Sequence, residues 1–146
     1  MTTQIAFHFN APDKLYYACR VARKAQRQGQ RLVLTAPQQT LALLDEMLWN
    51  LSPSDFIPHC SADASAELLK ASPIVLAPDP RQAPQHRQLL INLGSTLPLG
   101  FERFERLIEI VSRDDEQDRQ QARTRWRNYQ TSGYTIVRHD LALSAR

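Results

Sequence analysis

The stretch RLVLTAPQQTLALLDEMLWNL, residues 31–51, decides the fold that the sequence predicts. Its first six residues form a mostly apolar run rich in strand-forming side chains, without the alternation of a strand that faces solvent on one side. The residues that follow place Leu41, Leu44, Leu48 and Leu51 on one face of a helix. A buried strand followed directly by an amphipathic helix is the repeating unit of α/β proteins.

Further strands and helices are predicted on both sides of this unit. In chain order they are a strand at 4–9, a helix over 11–30, an extended segment at 55–60, buried strands at 73–79 and 88–95, a turn of helix running into a strand over 100–112, a helix from about 114 to 132, and an extended tail at 134–146. This alternation predicts a three-layer α/β sandwich with a mostly parallel sheet, Rossmann-like but without nucleotide-binding motifs. The later strands follow one another with little helix between them, so a mixed sheet stays open.

Length and composition restrict the class of protein. A chain of 146 residues, 42% of them hydrophobic and 23% charged, predicts a single α/β domain over residues 1–146. The net charge of +3 is too small for a protein coated in positive charge for general nucleic-acid binding. There is no signal-peptide pattern and no run of ~20 apolar residues, so a reduced, cytoplasmic protein without membrane contact is expected.

Catalytic, metal and nucleotide motifs are missing from the sequence. It has four glycines and no glycine-rich phosphate loop, no nucleophile elbow and no histidines at metal-ligand spacing, so we expect no catalytic residue, no metal and no cofactor. The adjacent His59 and Cys60 are the remaining enzymatic candidates. Neighbours on an extended segment cannot easily act as nucleophile and base, so an enzyme built on this pair is the least favoured alternative.

An arginine stripe marks the last predicted helix. Arg119, Arg123 and Arg127 repeat every four residues and therefore line up along one side of it, with Trp126 and Tyr129 set among them. Like charges at this spacing weaken a helix by a few tenths of a kcal/mol each, which suggests that something acidic binds them.

Three interpretations of the arginine stripe remain open on these residues alone. It is a solvated helix face with Trp126 and Tyr129 turned into the core, a surface for the phosphates of single-stranded nucleic acid with an aromatic for stacking, or a site for an acidic peptide. A suitable peptide would carry a terminal carboxylate and an apolar side chain.

A second candidate surface lies within residues 45–60. Trp49 follows the leucines of the second helix, and Phe56 follows a turn. Aromatic residues are enriched as anchors of protein interfaces, so the two predict a docking patch, although Trp49 could equally cover the core. Pro58 favours an edge strand for the segment that follows.

Three stretches together resemble the chi subunit family of the bacterial DNA polymerase III holoenzyme (the HolC family). They are LDEMLWNLSPSDFIPH at 44–59, QLLINLGSTLPLGFERFERLIEIV at 88–111, and ARTRWRNYQTSGY at 122–134. The first matches that family's D-E-x-L-W, short spacer and F-x-P-H. The last matches its A-R-x-R-aromatic-basic-x-Y-x-x-x-G-aromatic pattern.

The resemblance implies an α/β fold without nucleotide chemistry and a non-catalytic accessory subunit of the clamp-loader complex in DNA replication. Such a subunit pairs with the psi subunit, which ties it to the clamp loader. It also binds the acidic C-terminal tail of single-stranded DNA-binding protein, and its direct contact with nucleic acid is weak or absent. The alternative is a module that binds single-stranded nucleic acid directly through the same arginine stripe.

The resemblance also carries roles over to particular residues. The tail-binding arginine of the family falls on Arg123, its basic neighbours on Arg119 and Arg127, its aromatic on Trp126, and an apolar position near the pocket on Val111.

The psi-facing aromatics of the family fall on Trp49 and Phe56. The resemblance further implies that a helicase-like protein shares this psi-facing surface in some relatives.

Overall fold

The computed structural model of the protein describes residues 2–51, 54 and 56–144. The strands are β1 (Gln4–Ala11), β2 (Leu32–Thr35), β3 (His59–Ser61), β4 (Ile74–Leu76), β5 (Leu89–Asn92), β6 (Arg106–Ser112) and β7 (Ile136–Asp140). The helices are α1 (Lys14–Arg27), α2 (Gln38–Asn50), α3 (Ala66–Ala71), α4 (Glu116–Thr131) and α5 (Leu141–Ser144). Short 3₁₀ turns occupy Pro80–Gln82 and Phe101–Arg103.

The described strands form a seven-stranded sheet in the order β3-β4-β2-β5-β6-β1-β7, and their pairings are parallel. The predicted parallel α/β sheet is therefore confirmed, and the mixed sheet that the sequence left open does not occur among these strands. Two features account for the difference. Helix α3 was not predicted from the sequence, and the connection at 93–105 is long enough to return the chain in parallel without a full helix.

Helices cover both faces of the sheet and bury its central strands. Along β2, Leu32 and Leu34 pack in the cluster that contains α1 and α2, whereas Val33 packs in the cluster that contains α4. Successive side chains of a strand point to opposite faces, so a strand covered on both sides must be apolar throughout. This explains the run of apolar residues that identified the fold, and it confirms the predicted three-layer sandwich.

The ends of the helices follow from their capping residues. Asp13 caps α1 by accepting a hydrogen bond from the Tyr16 backbone N–H at 3.1 Å, so this helix begins at Lys14 rather than at residue 11 as predicted. Gly133, with a φ of 92°, follows α4 and ends it as expected, because glycine adopts the left-handed conformation without steric cost.

The predicted tail at 134–146 contains an additional strand. β7 pairs in parallel with β1 and forms one edge of the sheet, and α5 follows it directly. The opposite edge is β3, which starts immediately after Pro58, so the edge position predicted for this segment is confirmed. Among the described residues, no helix has both the length and the apolar character needed to cross a membrane.

Candidate functional site

A groove with a volume of about 440 Å³ lies between helix α4 and the strands β1, β6 and β7. Its walls and floor include the residues to which the resemblance assigns tail binding, namely Val111, Arg119, Arg123, Trp126 and Arg127. The structure thus brings residues from a strand and from three turns of a helix to one place. We call this feature the arginine groove.

The two sides of α4 have different roles. Arg119, Arg123 and Arg127 share the side that faces the arginine groove, as their four-residue spacing predicts. Arg125 and Tyr129 lie on the opposite side and are buried against the sheet. The helix is held by its buried side, so the exposed arginines are presented from a fixed support.

The floor of the arginine groove is apolar and partly aromatic. The Trp126 ring meets Phe7 edge-on, with ring centroids 4.9 Å apart, and it remains half-buried. Val111 and Ala122 are buried beside it. The interpretation that both α4 aromatics turn into the core is right for Tyr129 and holds only in part for Trp126, which packs against the core and also lines the groove.

The rim of the arginine groove carries weakly paired positive charge. Glu116 lies 3.4 Å from Arg123 Nη1 and 3.9 Å from Arg119 Nε; Glu116 and Arg123 are exposed, and Arg119 is partly exposed. Arg119 also donates a hydrogen bond from Nη1 to the Arg113 carbonyl oxygen at 3.1 Å. Exposed ion pairs of this kind contribute only about 0–1 kcal/mol, so a peptide carboxylate could displace Glu116 at little cost.

Arg138 is a member of the arginine groove that was not predicted from the sequence. It comes from β7, opposite α4, and its guanidinium carbon lies 5.6 Å from the Phe9 ring centroid and 5.8 Å from that of Trp126. The residue falls in the predicted extended tail, and no local pattern indicates that this tail pairs with β1. Only the strand pairing places it here.

Arg125 has a structural role, although in the sequence it lies between Arg123 and Arg127 of the arginine stripe. Its Nε lies 3.1 Å from Glu109 Oε1, with the two side chains 2% and 0% exposed, and its Nη1 donates to the Ser95 carbonyl oxygen at 3.0 Å. Asn92 and Tyr129 also donate hydrogen bonds to the Glu109 carboxylate. These contacts secure α4 on β5 and β6.

Burial governs proton binding in this cluster. It raises the pKa of Glu109, whereas Arg125, Asn92 and Tyr129 favour the ionised carboxylate. Burial also raises the pKa of Tyr129, and the neighbouring carboxylate adds to the effect, so the phenol keeps its proton and donates a hydrogen bond to Glu109 at 2.7 Å.

A patch of aromatic side chains lies at the other edge of the sheet, near β3. Trp49 and Phe56 are 56% and 64% exposed, and their ring centroids are 5.3 Å apart. The interpretation that Trp49 covers the core is therefore wrong. We call these two residues the aromatic patch.

The buried His59 packs against the aromatic patch. Its ring meets that of Trp49 at 5.0 Å, its Nε2 lies 3.0 Å from Asp45 Oδ1, and its Nδ1 lies 2.7 Å from the Ile57 carbonyl oxygen. Asp45 belongs to helix α2. Its pairing with His59 could not be seen from residues that are 14 positions apart.

The alternative of an enzyme that uses His59 and Cys60 is not supported by their geometry. The two side chains point to opposite faces of β3, since His59 contacts Asp45 of α2 whereas Cys60 is buried in the cluster on the α4 face. Within residues 2–51, 54 and 56–144, no three His, Cys, Asp or Glu side chains are grouped so that they could hold a metal ion.

Comparisons of the sequence with known proteins agree on one family. The family model described as DNA polymerase III chi subunit, HolC, matches residues 1–137, which ends one residue before Arg138. Relatives named DNA polymerase III subunit chi are found in Pseudomonas aeruginosa, with 36% identity over 129 residues (88% of this chain and 87% of the relative), and in Haemophilus influenzae, with 29% identity over 120 residues (82% and 81%). The relative in Escherichia coli has the same name and is 25% identical over 119 residues, which is 81% of this chain and 79% of that protein.

A solved structure with a similar fold is the C-terminal domain of S. cerevisiae Dbp5. The TM-score is 0.56 with 12% sequence identity, and the match covers 96% of this chain and 90% of that domain. At this level of identity, the likeness concerns the α/β fold alone.

Proposed function

Because the chain belongs to the chi subunit family of DNA polymerase III and is therefore an accessory subunit of the replication machinery, we propose that it is a non-catalytic adaptor. In this proposal it works in the cytoplasm and connects the psi subunit, and through psi the clamp loader, to the acidic C-terminal tail of single-stranded DNA-binding protein. The observation that carries the proposal is the arginine groove, with its apolar floor and its rim of weakly paired arginines.

The chemistry of the arginine groove suits an acidic peptide that ends in an aromatic residue. The terminal side chain would lie on the floor formed by Val111 and Trp126, and its carboxylate would be bound by Arg123. Each charge-assisted hydrogen bond of this kind contributes roughly 1.5–3 kcal/mol. Two of them and one buried aromatic contact would reach about 8 kcal/mol, which corresponds to micromolar affinity.

The aromatic patch suits a more apolar partner, which we propose to be the psi subunit. Trp49 and Phe56 are large, exposed and in contact with each other, and such residues dominate the binding energy of many protein interfaces. The patch adjoins β3 and the arginine groove adjoins β7, at opposite edges of the sheet. Both partners could therefore bind at the same time.

Simultaneous binding would make the protein a tether. A template coated with single-stranded DNA-binding protein presents many tails, so a weak contact with any one of them raises the local concentration of the clamp loader. Micromolar affinity for a single tail is enough for this role, and it allows rapid exchange between neighbouring tails.

The test is a fluorescence-anisotropy titration with a labelled acidic peptide that ends in aspartate, isoleucine, proline and phenylalanine. The same peptide without its terminal phenylalanine and an oligothymidine are titrated beside it. We expect micromolar binding of the full peptide alone. Binding of oligothymidine with neither peptide bound would contradict the proposal, and it would assign the arginine stripe to direct contact with nucleic acid.

Substitution of Arg123 tests where the peptide binds. Arg123→Ala is expected to weaken binding of the full peptide by at least about tenfold, or ~1.4 kcal/mol, because a carboxylate loses its guanidinium partner. Arg20→Ala is the matched control, since Arg20 is an exposed arginine of helix α1, on the other face of the sheet. Equal affinities for the two variants would show that the peptide binds elsewhere.

A further inference from the structure

Arg138 has a fixed place on the wall of the arginine groove that faces α4. In the β1–β7 pairing it lies beside Phe7, and Ile136 lies beside Ile5. Neighbouring residues of paired strands point to the same face, so Arg138 and Phe7 both face α4. Arg138 therefore projects toward Trp126, the α4 residue that contacts Phe7. The position of Arg138 is therefore set by the sheet and not by a flexible tail.

The end of β7 is attached to β1 close to Arg138. Asn10 lines the arginine groove and donates a hydrogen bond from Nδ2 to Asp140 Oδ1 at 2.8 Å. Its φ of 64° falls in the left-handed region, where the β1–β6 register shifts between His8 and Ala11. Asparagine tolerates this conformation better than most residues, so one residue provides both the turn of the backbone and the contact with β7.

The guanidinium of Arg138 is oriented by aromatic rings and not by an acid. It lies within 6 Å of the ring centroids of Phe9 and Trp126, at 5.6 and 5.8 Å, which is the range of cation–π attraction. Among the residues that the structure describes, Arg138 has no carboxylate at ion-pair distance, whereas Arg119 and Arg123 share Glu116. A guanidinium held in this way keeps its planar set of N–H donors for a ligand.

We propose that Arg138 binds a carboxylate of the acidic peptide from the wall opposite α4, so that the peptide is held by arginines on both sides of the apolar floor. This inference rests on the peptide-binding function proposed above, and it adds a residue that lies beyond the part of the chain matched by the family model. Arg138 is thus a specificity-determining residue of the arginine groove.

The two-walled arrangement defines the ligand more closely than the stripe on α4 does. A peptide with one terminal carboxylate could pair with only one wall. A peptide whose terminal apolar residue follows one or more aspartates could place carboxylates on both walls while its apolar side chain covers Val111 and Trp126. The arginine groove should therefore require both a free terminal carboxylate and upstream acidic residues.

The test is a double-mutant cycle between the protein and the peptide, measured by fluorescence anisotropy. Arg138→Ala is combined with three peptides: the full acidic peptide, the same peptide with its aspartates changed to asparagine, and the same peptide with an amidated C-terminus. We expect Arg138→Ala to weaken binding of the full peptide by about three- to tenfold. The loss should be smaller for whichever modified peptide lacks the carboxylate that Arg138 binds, because the effects of changing two interacting groups are not additive.

Two variants separate charge recognition from strand stability. Val137→Ala changes the neighbouring exposed residue of β7, which points to the other face of the sheet, and it should leave peptide affinity unchanged. Arg138→Lys keeps the charge but loses the planar donor set, so its affinity should fall between those of the wild-type protein and Arg138→Ala. Arg138→Ala acting equally on all three peptides would overturn the proposal, since Arg138 would then only support Trp126.

The result also distinguishes this inference from the function on which it rests. If Arg123→Ala weakens binding and Arg138→Ala does not, the arginine groove binds the peptide through α4 alone and the role of Arg138 is overturned. If the wild-type protein binds none of the peptides, the proposed function and the role of Arg138 are both overturned.

Discussion

Arginine serves two separate purposes on helix α4. Arg123 is exposed on the rim of the arginine groove, whereas Arg125 is buried and paired with Glu109 at 3.1 Å. Removing one partner of a buried pair leaves an uncompensated charge and typically destabilises a protein by about 3–5 kcal/mol. The family pattern contains both arginines, and only their burial separates the one that holds the helix from the one that can bind a ligand.

His8 makes a prediction about the pH dependence of stability. Burial, together with the nearby His139 and Arg106, lowers the pKa of His8 from 6.5 to about 4. The unfolded chain therefore binds a proton at higher pH than the folded chain does, and the contribution of His8 to stability is lost as the pH falls from about 6.5 toward 4. Urea unfolding near pH 7 and near pH 5 should show this loss in the wild-type protein.

The control for this prediction is His8→Gln, which cannot take up a proton. Glutamine keeps a polar group near the Tyr17 hydroxyl, which lies 2.6 Å from His8 Nδ1. The free energy of unfolding of this variant should depend less on pH across the same interval. An identical dependence in both proteins would show that His8 does not contribute.

Helix α4 is the element that carries the arginine groove, and its first turn determines where it starts. Asp115 caps the helix by accepting hydrogen bonds from the backbone N–H groups of Gln117 and Asp118, at 3.1 and 3.2 Å. Asp118 in turn accepts a hydrogen bond from the Ser112 N–H at 2.9 Å and pairs with Lys14 Nζ at 2.7 Å. The acidic residues at this end thus have structural roles, and they also suit the positive end of the helix dipole.

Asp115→Ala is expected to destabilise the protein by about 1 kcal/mol, because two backbone donors at the start of α4 lose their acceptor. Chemical unfolding followed by circular dichroism measures the effect. Asp114→Ala is the matched control, since the neighbouring Asp114 is also exposed and pairs with the exposed Arg113 beside it. Equal losses for both variants would mean that α4 does not depend on this cap.

In the molecule as a whole, the two candidate surfaces lie toward opposite edges of the sheet. The aromatic patch adjoins the β3 edge, and the arginine groove adjoins the β7 edge. They share no residues, and the strands β4, β2 and β5 lie between them. An adaptor needs this separation, because each partner must be able to bind without displacing the other.

Trp49→Ala should weaken binding of the psi subunit by about thirtyfold or more, as expected for a large interface anchor. It should leave the affinity for the acidic peptide unchanged, and Arg123→Ala should have the opposite effects. Isothermal titration calorimetry with each partner, alone and in the presence of the other, measures both. Leu43→Ala is the control, since Leu43 is also exposed on α2. Loss of both interactions in one variant would contradict two independent surfaces.

The local sequence pattern was enough to predict most of the elements and one side of the site. The apolar run at 31–36, the leucines of α2 and the four-residue spacing of the arginines each specify a face of a single element. Such information is contained in neighbouring residues, because strand and helix periodicities are local. Trp49 and Phe56 of the aromatic patch were likewise indicated by the sequence pattern and by the resemblance, although the sequence left open whether Trp49 is exposed.

Tertiary structure alone decided the remainder. The pairing of β7 with β1 brings Arg138 to the arginine groove, the fold buries Arg125 on Glu109, and the approach of β3 to α2 joins His59 to Asp45. In each case the partners are distant in sequence, and no local periodicity encodes which strand will lie beside which. The spacing of the arginines determined one wall of the groove, and long-range strand pairing supplied the other.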